Sequence, residues 1–343
     1  MLNPLLNTTQ RVLWDELFAS AHSVLLCAHV GPDGDAVGSC LGMADYLNRQ
    51  GKCVRMVVPN AFPDFLTWLP GSEDILLYEQ APEQALRWTN EADVIICLDF
   101  NDLKRLGEFG PVVSAAVAPK IMIDHHLYPA EFACLAVSLP EMSSTCELVF
   151  RLIWELGGFG TMSPAGAAAI YCGMMTDTGG FTYSSARSEI YFIISQLLTK
   201  GIDKDKIYRN VYHNYSRGRV RLMGYILYEK LHFFPGCRAS VFTLTDSEMK
   251  RFNYIKGDSE GLVNIPLSIR GHRLSIFLRE DAEKGVIRVS LRSVDDFPCN
   301  QMAADFFHGG GPLNASGGEL ACSMEEAMKI AEQAVDAYRS LLV

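Results

Sequence analysis

Over the first two hundred residues, short and nearly continuous apolar runs alternate with segments whose apolar positions recur at helical spacing. "SVLLCAHV", "CVRMVVP", "ADVIICLDF" and "APKIMIDHH" are the runs, each of strand length and rich in β-branched residues. Thr8 to Ala21 and Ala36 to Arg49 carry the helical spacing. Ser144 with Glu147 reads as a capping box opening the helix "CELVFRLIWELGG", and Ser163-Pro164 has the N-cap and first-turn chemistry to open "AGAAAIYCGMM". Strands apolar on both faces, separated by helices, predict an α/β fold: a doubly wound, mainly parallel sheet covered on both sides.

After about residue 200 the pattern changes. "GIDKDKIYRNVYHNYSRGRVRLMGYILYEKL" is polar, basic and helical, followed by "RASVFTLT", "HRLSIFLRE" and "GVIRVSLRS", which alternate partially as strands do. A glycine-rich loop, "GGGPLNASGG", and an amphipathic helix from Met324 complete the chain. The boundaries expected are a first domain over 1–200, a helical linker over 201–232 and a smaller α/β domain over 233–343. Within the linker Arg217 and Arg221 share a helix face and Arg219 does not. This suits a solvated helix, with a short electrostatic funnel as the alternative.

Composition narrows the class. Of 343 residues, 49% are hydrophobic and 20% charged, enough apolar material for well-cored domains. A net charge of −10 excludes a surface that wraps long duplex nucleic acid by general phosphate attraction, while leaving room for a small anionic substrate held by local cations. The ten cysteines form no C-x-x-C pair and read as reduced core thiols. No apolar run is of bilayer-spanning length and the N-terminus lacks signal-peptide character. A soluble cytoplasmic protein without membrane association is expected.

The chemistry collects at element ends. His29, Asp33 and Asp35 follow the first apolar run, Asp99 ends the third, Asp124, His125 and His126 end the fourth, and Asp177 ends an apolar helix. Strand C-termini of a parallel sheet share one rim, where such folds bind ligands. Several carboxylates gathered there would repel one another unless cations intervened. Oxygen-rich sites with a few imidazoles suit Mn²⁺ or Mg²⁺, and a pair of such ions serves phosphate-ester hydrolysis. Taken singly, each residue has a plainer reading: Asp35 as the N-cap of the helix from Ala36, Asp33-Gly34 as a turn, Asp99 or Asp102 as a cap.

"HVGPDGDAVGS", the Asp99 after a strand, "DHH" at 124–126 and Asp177 appear in the order of the motifs of the DHH phosphoesterases, and "VSLRS" with "GGGPLNASGG" resembles the DHHA1 domain that accompanies them. The resemblance spans essentially the whole chain and is greatest to the NrnA-like subgroup of oligoribonucleases and pAp phosphatases. It implies that His29 and Asp33 bind a first Mn²⁺, that Asp35, His125 and Asp177 bind a second, and that Asp99 bridges the two. Mg²⁺ is the alternative ion. His126 would face the scissile phosphate, with Asp124 orienting an imidazole. Arg292 and Ser293 would meet a substrate phosphate, Gly309, Gly310 and Gly311 would let backbone approach a nucleotide, and Asn314 and Ser316 would add hydrogen bonds.

The activity implied is hydrolysis of short RNA oligonucleotides and 3′,5′-bisphosphonucleotides by two-metal activation of a bridging water, with a homodimer left open. Exopolyphosphatase- or pyrophosphatase-like hydrolysis, cyclic-dinucleotide cleavage and non-catalytic nucleotide binding are the alternatives. One departure stands out: the family's glycine motif usually ends G-G-G-H, and here the fourth position is Pro312, with His308 preceding the glycines.

Overall fold

The computed structural model describes residues 2–255 and 257–343 and divides into two compact units, one ending at Asn214 and the other spanning Tyr215–Val343. The first is built on six strands, β1 (Ser23–Cys27), β2 (Cys53–Val58), β3 (Ile75–Leu77), β4 (Val94–Leu98), β5 (Lys120–Asp124) and β6 (Leu135–Ser138). They are ordered β3-β2-β1-β4-β5-β6 with every neighbouring pair parallel. The expected doubly wound sheet is therefore present, with two strands more than the four apolar runs announced. The additions are the edge strands β3 and β6, only three and four residues long.

Among the described residues this unit has eight α-helices: α1 (Thr8–Ser20), α2 (Gly34–Arg49), α3 (Pro82–Asn90), α4 (Gly110–Ala115), α5 (Thr145–Glu155), α6 (Pro164–Asp177), α7 (Ser188–Leu198) and α8 (Lys204–Tyr212). Pleating sends successive strand residues to opposite faces. Val24, Leu26, Ile96 and Leu98 face a core shared with α2, α5 and α6, whereas Leu25, Cys27, Ile95 and Cys97 face a second core with Ala85 of α3 and Val113 of α4. No helix among the described residues is long and apolar enough to cross a membrane.

Two local expectations change. Asp33, not Asp35, is the N-cap of α2: its Oδ1 accepts from the N–H groups of Asp35 and Ala36 at 2.9 and 3.1 Å, so the helix begins at Gly34. The capping box at Ser144 is only half made. Ser144 caps the N–H of Glu147, but the Glu147 carboxylate turns to the N–H and hydroxyl of Ser143 and to Arg151 and Arg187. Ser163 caps α6 as expected.

α2 and α6 lie unusually close. A Cβ added at Gly38 would sit 2.5 Å from the carbonyl oxygen of Ala169, and one at Gly173 would sit 2.2 Å from Sγ of Cys146 and 3.1 Å from Cα of Asp35. Small residues at these positions set the helix spacing, and with it the approach of the α6 C-terminus to the start of α2.

In the second unit, α9 (Arg217–Tyr225) runs into one π-helical turn at Ile226–Lys230. Then follow β7 (His232–Phe233), β8 (Ala239–Leu244), α10 (Asp246–Arg251), β9 (Leu274–Asp281), β10 (Val286–Ser293), α11 (Cys299–Phe306), β11 (Ala315–Leu320) and α12 (Met324–Ala337). The sheet order is β11-β10-β9-β8-β7, antiparallel throughout except for the parallel pair β8–β9. α11 and α12 cover one face through residues such as Met302, Ala327 and Val335, and Leu222, Ile226 and Val263 pack on Phe242 and Phe277 of the other.

Of the helices in the expected linker region 201–232, Ile207 and Val211 of α8 join the first unit's core, while Leu222 of α9 joins a core of the second. Two more expectations are corrected here. The final residues of the glycine-rich loop, from Ala315, are strand. The cysteines are all unpaired, but Cys53 and Cys134 are exposed and Cys237 and Cys322 half-buried, so six of the ten are core thiols. In α9, Arg217 and Arg221 are exposed, while Arg219 stacks 4.1 Å over Tyr215 and donates to the carbonyls of Gly257 and Glu260.

Candidate metal centre

The strand order reverses between β1 and β4, a topological switch point that opens a crevice beyond the strand C-termini. His29, Asp33 and Asp35 follow β1; Asp99 follows β4; Asp124 ends the adjacent β5, with His125 and His126 next. Asp177, the last residue of α6, reaches the same place because α6 lies so close to α2.

The side chains converge as three overlapping groups, one of them Asp99, His125 and His126. One donor atom each from His29, Asp33 and Asp99 lie within 4.8 Å of one another, and so do those of Asp35, His125 and Asp177. Asp99 Oδ2 is 3.3 Å from Nε2 of His29 and its Oδ1 is 3.7 Å from Nε2 of His125, so this one carboxylate addresses both groups. Nε2 of His125 is also 3.9 Å from Asp35 Oδ2 and 3.4 Å from Asp177 Oδ2. Both imidazoles turn Nδ1 to a backbone carbonyl, His29 to Val30 at 2.9 Å and His125 to Met142 at 3.3 Å. Such a contact fixes the proton on Nδ1 and leaves Nε2 as the donor lone pair.

The third histidine is held differently. His126 directs Nδ1 to Asp124 Oδ1 at 2.7 Å, and its backbone N–H donates to Oδ2 of the same carboxylate at 3.0 Å. Asp124 is fully buried, so it both closes the turn after β5 and orients the His126 ring. Asp99 adopts φ +65°, a left-handed conformation rare outside glycine though tolerated by Asp, and such outliers gather at functional sites.

Sequence reasoning missed the supports from α5. The N–H groups of Thr145 and Cys146 donate to the two oxygens of Asp35 at 2.6 and 2.8 Å, and the Thr145 hydroxyl donates to Asp99 Oδ1 at 2.9 Å. The signal was present in outline, because the Ser144 cap marks a helix N-terminus, whose free N–H groups and dipole favour carboxylates. A further support is the buried Glu147, which fixes Ser143 next to the Met142 carbonyl used by His125.

Electrostatics state what the cluster lacks. Burial first, and then Asp35 and Asp33, push the Asp177 carboxyl up to about 9. Burial and neighbouring acids likewise raise Asp99 well above the ordinary range and raise Asp35. Burial works to lower His125, but Asp35, Asp99 and Asp124 outweigh it and its pKa rises. Crowded carboxylates that resist ionisation are relieved by cations. The donor set of four carboxylates and two Nε2 atoms, without thiolate, fits a pair of hard divalent ions.

The second unit carries a groove of about 640 Å³ lined by Arg279, Arg288, Arg292, His308, Gly310 and Gly317, among others. Arg292 and Gly310 thus line this groove. Gly309 lies so close on β11 that an added Cβ would fall 1.8 Å from the Gly317 carbonyl oxygen, and Gly311 takes φ +139° in the following turn. Ser293 and Ser316 are buried and donate to the carbonyls of Phe297 and Pro312, and Asn314 donates to Ser293. Pro312 is exposed. The histidine on the groove is His308.

Comparison with known proteins places these features. Residues 23–174 match the DHH family, N-terminal domain. The chain is 29% identical over 311 residues to the bifunctional oligoribonuclease and PAP phosphatase NrnA of Thermus thermophilus, covering 90% of this chain and 88% of that one. An exopolyphosphatase-related protein of Bacteroides fragilis is 55% identical, with a TM-score of 0.96 and 99% of each chain covered. RecJ of Thermus thermophilus in complex with Mn²⁺, at 14% identity, shares the fold over 97% of this chain and 54% of its own, with a TM-score of 0.52.

Proposed function

Since the chain belongs to the DHH family and is a metal-dependent hydrolase of phosphate esters, we propose that it is a two-metal phosphoesterase cleaving short RNA oligonucleotides and 3′,5′-bisphosphonucleotides. The observation that carries this reading is the pair of donor groups sharing Asp99. His29, Asp33 and Asp99 would hold one ion, and Asp35, His125, Asp177 and the other oxygen of Asp99 the second. When bound, two such ions, Mn²⁺ or alternatively Mg²⁺, would supply Lewis acidity to the phosphoryl oxygens and acidify a bound water.

The chain's own groups do the remaining work. Thr145 and Cys146 keep Asp35 and Asp99 aimed inward, so the ligands need little rearrangement. Because Asp124 accepts from Nδ1 of His126, Nε2 is the nitrogen presented to substrate, placed to contact a phosphoryl oxygen or the departing oxygen. In the second unit Arg292 supplies a guanidinium suited to a terminal phosphate, and glycine backbone gives a flat wall for a sugar or base.

Two observations support nucleotides as the substrate class: the similarity to oligoribonuclease and PAP phosphatase relatives over nine-tenths of the chain, and an arginine-lined groove of nucleotide size. A second reading, polyphosphate hydrolysis, is favoured by the exopolyphosphatase-related description of the 55% identical structure. Purified protein with Mn²⁺ should release mononucleotide from a dinucleotide and phosphate from pAp, and Asp99→Ala should abolish both. Turnover of polyphosphate alone would move the assignment to the second reading. Inactivity on dinucleotide, pAp and cyclic dinucleotide would overturn the nucleotide assignment.

A further inference from the structure

β9 and β10 set three guanidinium groups along one wall of the groove. Arg288 and Arg292 lie on the same side of β10, four residues apart, so their backbone positions are separated by about 13 Å. The register of β9 against β10 places Arg279 directly opposite Arg288. Like charges in that relation destabilise a sheet unless something compensates them. For Arg288 the compensation is present: Nε donates to Asp281 at 2.9 Å and a terminal nitrogen pairs with Glu319 at 2.7 Å.

Arg279 has no such partner. Its side chain makes no hydrogen bond or ion pair among the described residues and acts on Asp281 only through space. It is nonetheless half-buried and lines the groove. On the far side of the Arg288–Glu319 pair stands His308: the Phe307 carbonyl just before it accepts from the N–H of Glu319 at 3.0 Å. His308 holds φ +50°, a left-handed conformation uncommon for a residue other than glycine. Its exposed imidazole, also on the groove, has no hydrogen-bond partner among the described residues. Arg279 and His308 therefore flank a neutralised pair, each with its donors directed to nothing in the chain, at the end of the groove away from Arg292.

We propose that this end is a second phosphate position, and that Arg279 with His308 distinguishes oligonucleotides from mononucleotides. The proposal rests on the nucleotide reading above and adds length selection to it. A 3′,5′-bisphosphonucleotide carries both phosphates on one sugar, too short a span to serve two positions about 13 Å apart. A trinucleotide backbone spans them, placing one phosphate at Arg292 and another between Arg279 and His308.

Calorimetric titration of the chelator-treated full chain, which binds without cleaving, tests this with a 5′-phosphorylated trinucleotide and with pAp. Arg279→Gln should weaken the trinucleotide about tenfold or more, the loss of one charge-assisted contact, and leave pAp unchanged. It should also flatten the salt dependence of log Kd for the trinucleotide by about 0.7, one phosphate contact on a single strand. Arg279→Lys should keep the slope. His308→Ala should weaken the trinucleotide alone, and Arg292→Gln both ligands. Unchanged pAp binding is the internal check on folding. Trinucleotide binding indifferent to Arg279→Gln, or both ligands weakened equally, overturns the length-selecting role and leaves the catalytic reading standing. Failure of both nucleotides to bind the unaltered chain overturns the two readings together.

Discussion

The hydroxyl of Thr145 donates to Oδ1 of Asp99 across 2.9 Å, while the backbone N–H of the same residue donates to Asp35 at 2.6 Å. One residue at a helix start thus braces the shared carboxylate and a neighbouring one. Removing the hydroxyl should loosen the metal site without removing a ligand. Thr145→Val is expected to weaken Mn²⁺ binding about 10- to 100-fold, as partners of metal ligands typically do, and Thr145→Ser to retain most of it. Mn²⁺ titration followed by electron paramagnetic resonance measures this, and equal affinities for Thr145→Val and the natural protein would refute the bracing role.

His126 and Asp124 should separate catalysis from metal binding. His126→Ala is expected to lower kcat by about 10²- to 10⁴-fold, the usual scale for a lost proton-transfer group, with metal content unchanged. Asp124→Asn should lower kcat as well, since the ring loses its orienting acceptor. Metal analysis beside steady-state kinetics decides: loss of bound metal in His126→Ala would make that ring a ligand.

The metal-free protein should lose stability as pH rises. Asp177, with its folded-state pKa near 9 against 3.8 as the ordinary value, binds more protons folded than unfolded between those limits. Stability then falls across that window and is fullest below it. Raised Asp35, Asp99 and His125 act in the same direction. Thermal melts in chelator should show a lower Tm at pH 8 than at pH 5. Saturating Mn²⁺ should raise Tm more at pH 8, because the ions compete with protons for the same oxygens. A chelated protein that is more stable at pH 8 would contradict the crowded-carboxylate picture.

The contact of α2 with α6 offers a purely steric probe. At Gly38 an added methyl meets backbone, which cannot swing aside as a side chain can. Gly38→Ala is expected to cost about 1–3 kcal/mol in urea unfolding, the scale of overpacking. It should also lower activity, since shifting α6 moves Asp177 away from Asp35 and His125. Gly42→Ala, which meets the flexible Ile170 side chain, should cost less.

Glu147 is the remaining probe. It is fully buried, accepts from Ser143 twice and pairs with Arg151 and Arg187. Glu147→Gln leaves the buried Arg151 uncompensated and should destabilise by about 3–5 kcal/mol, measured by denaturant unfolding. A loss under 1 kcal/mol would mean that solvent, not Glu147, satisfies the arginine.

What could be read from sequence follows from locality. An apolar run that stops at Asp124-His125-His126, or at Asp99, announces its own strand end, and the common direction of strand ends in a parallel sheet groups distant acids. The part played by Thr145 was invisible, since its partners lie 46 and 110 positions upstream and threonine after a helix cap is ordinary. β3 and β6 were too short for periodicity to register. Arg279 could not be told from Arg288 before the strand register showed which one the acids neutralise. The loop-internal bonds of Ser293, Asn314 and Ser316 could not be read from sequence, because a polar side chain beside a glycine-rich loop looks the same whether it faces a ligand or ties down its own loop.

The strand order carries one more consequence. The candidate ligands come from β1, β4, β5 and the helices beside them, while β2, β3 and α3 provide none; Asn60 after β2 only accepts from the N–H of Gly31 at 2.7 Å. The β2–β3 edge of the sheet is therefore architecturally necessary yet chemically silent. That edge is the place to graft a reporter or a tether: an insertion at Gly51, whose φ of +76° and open surroundings mark a roomy turn, would leave the candidate metal ligands where they stand.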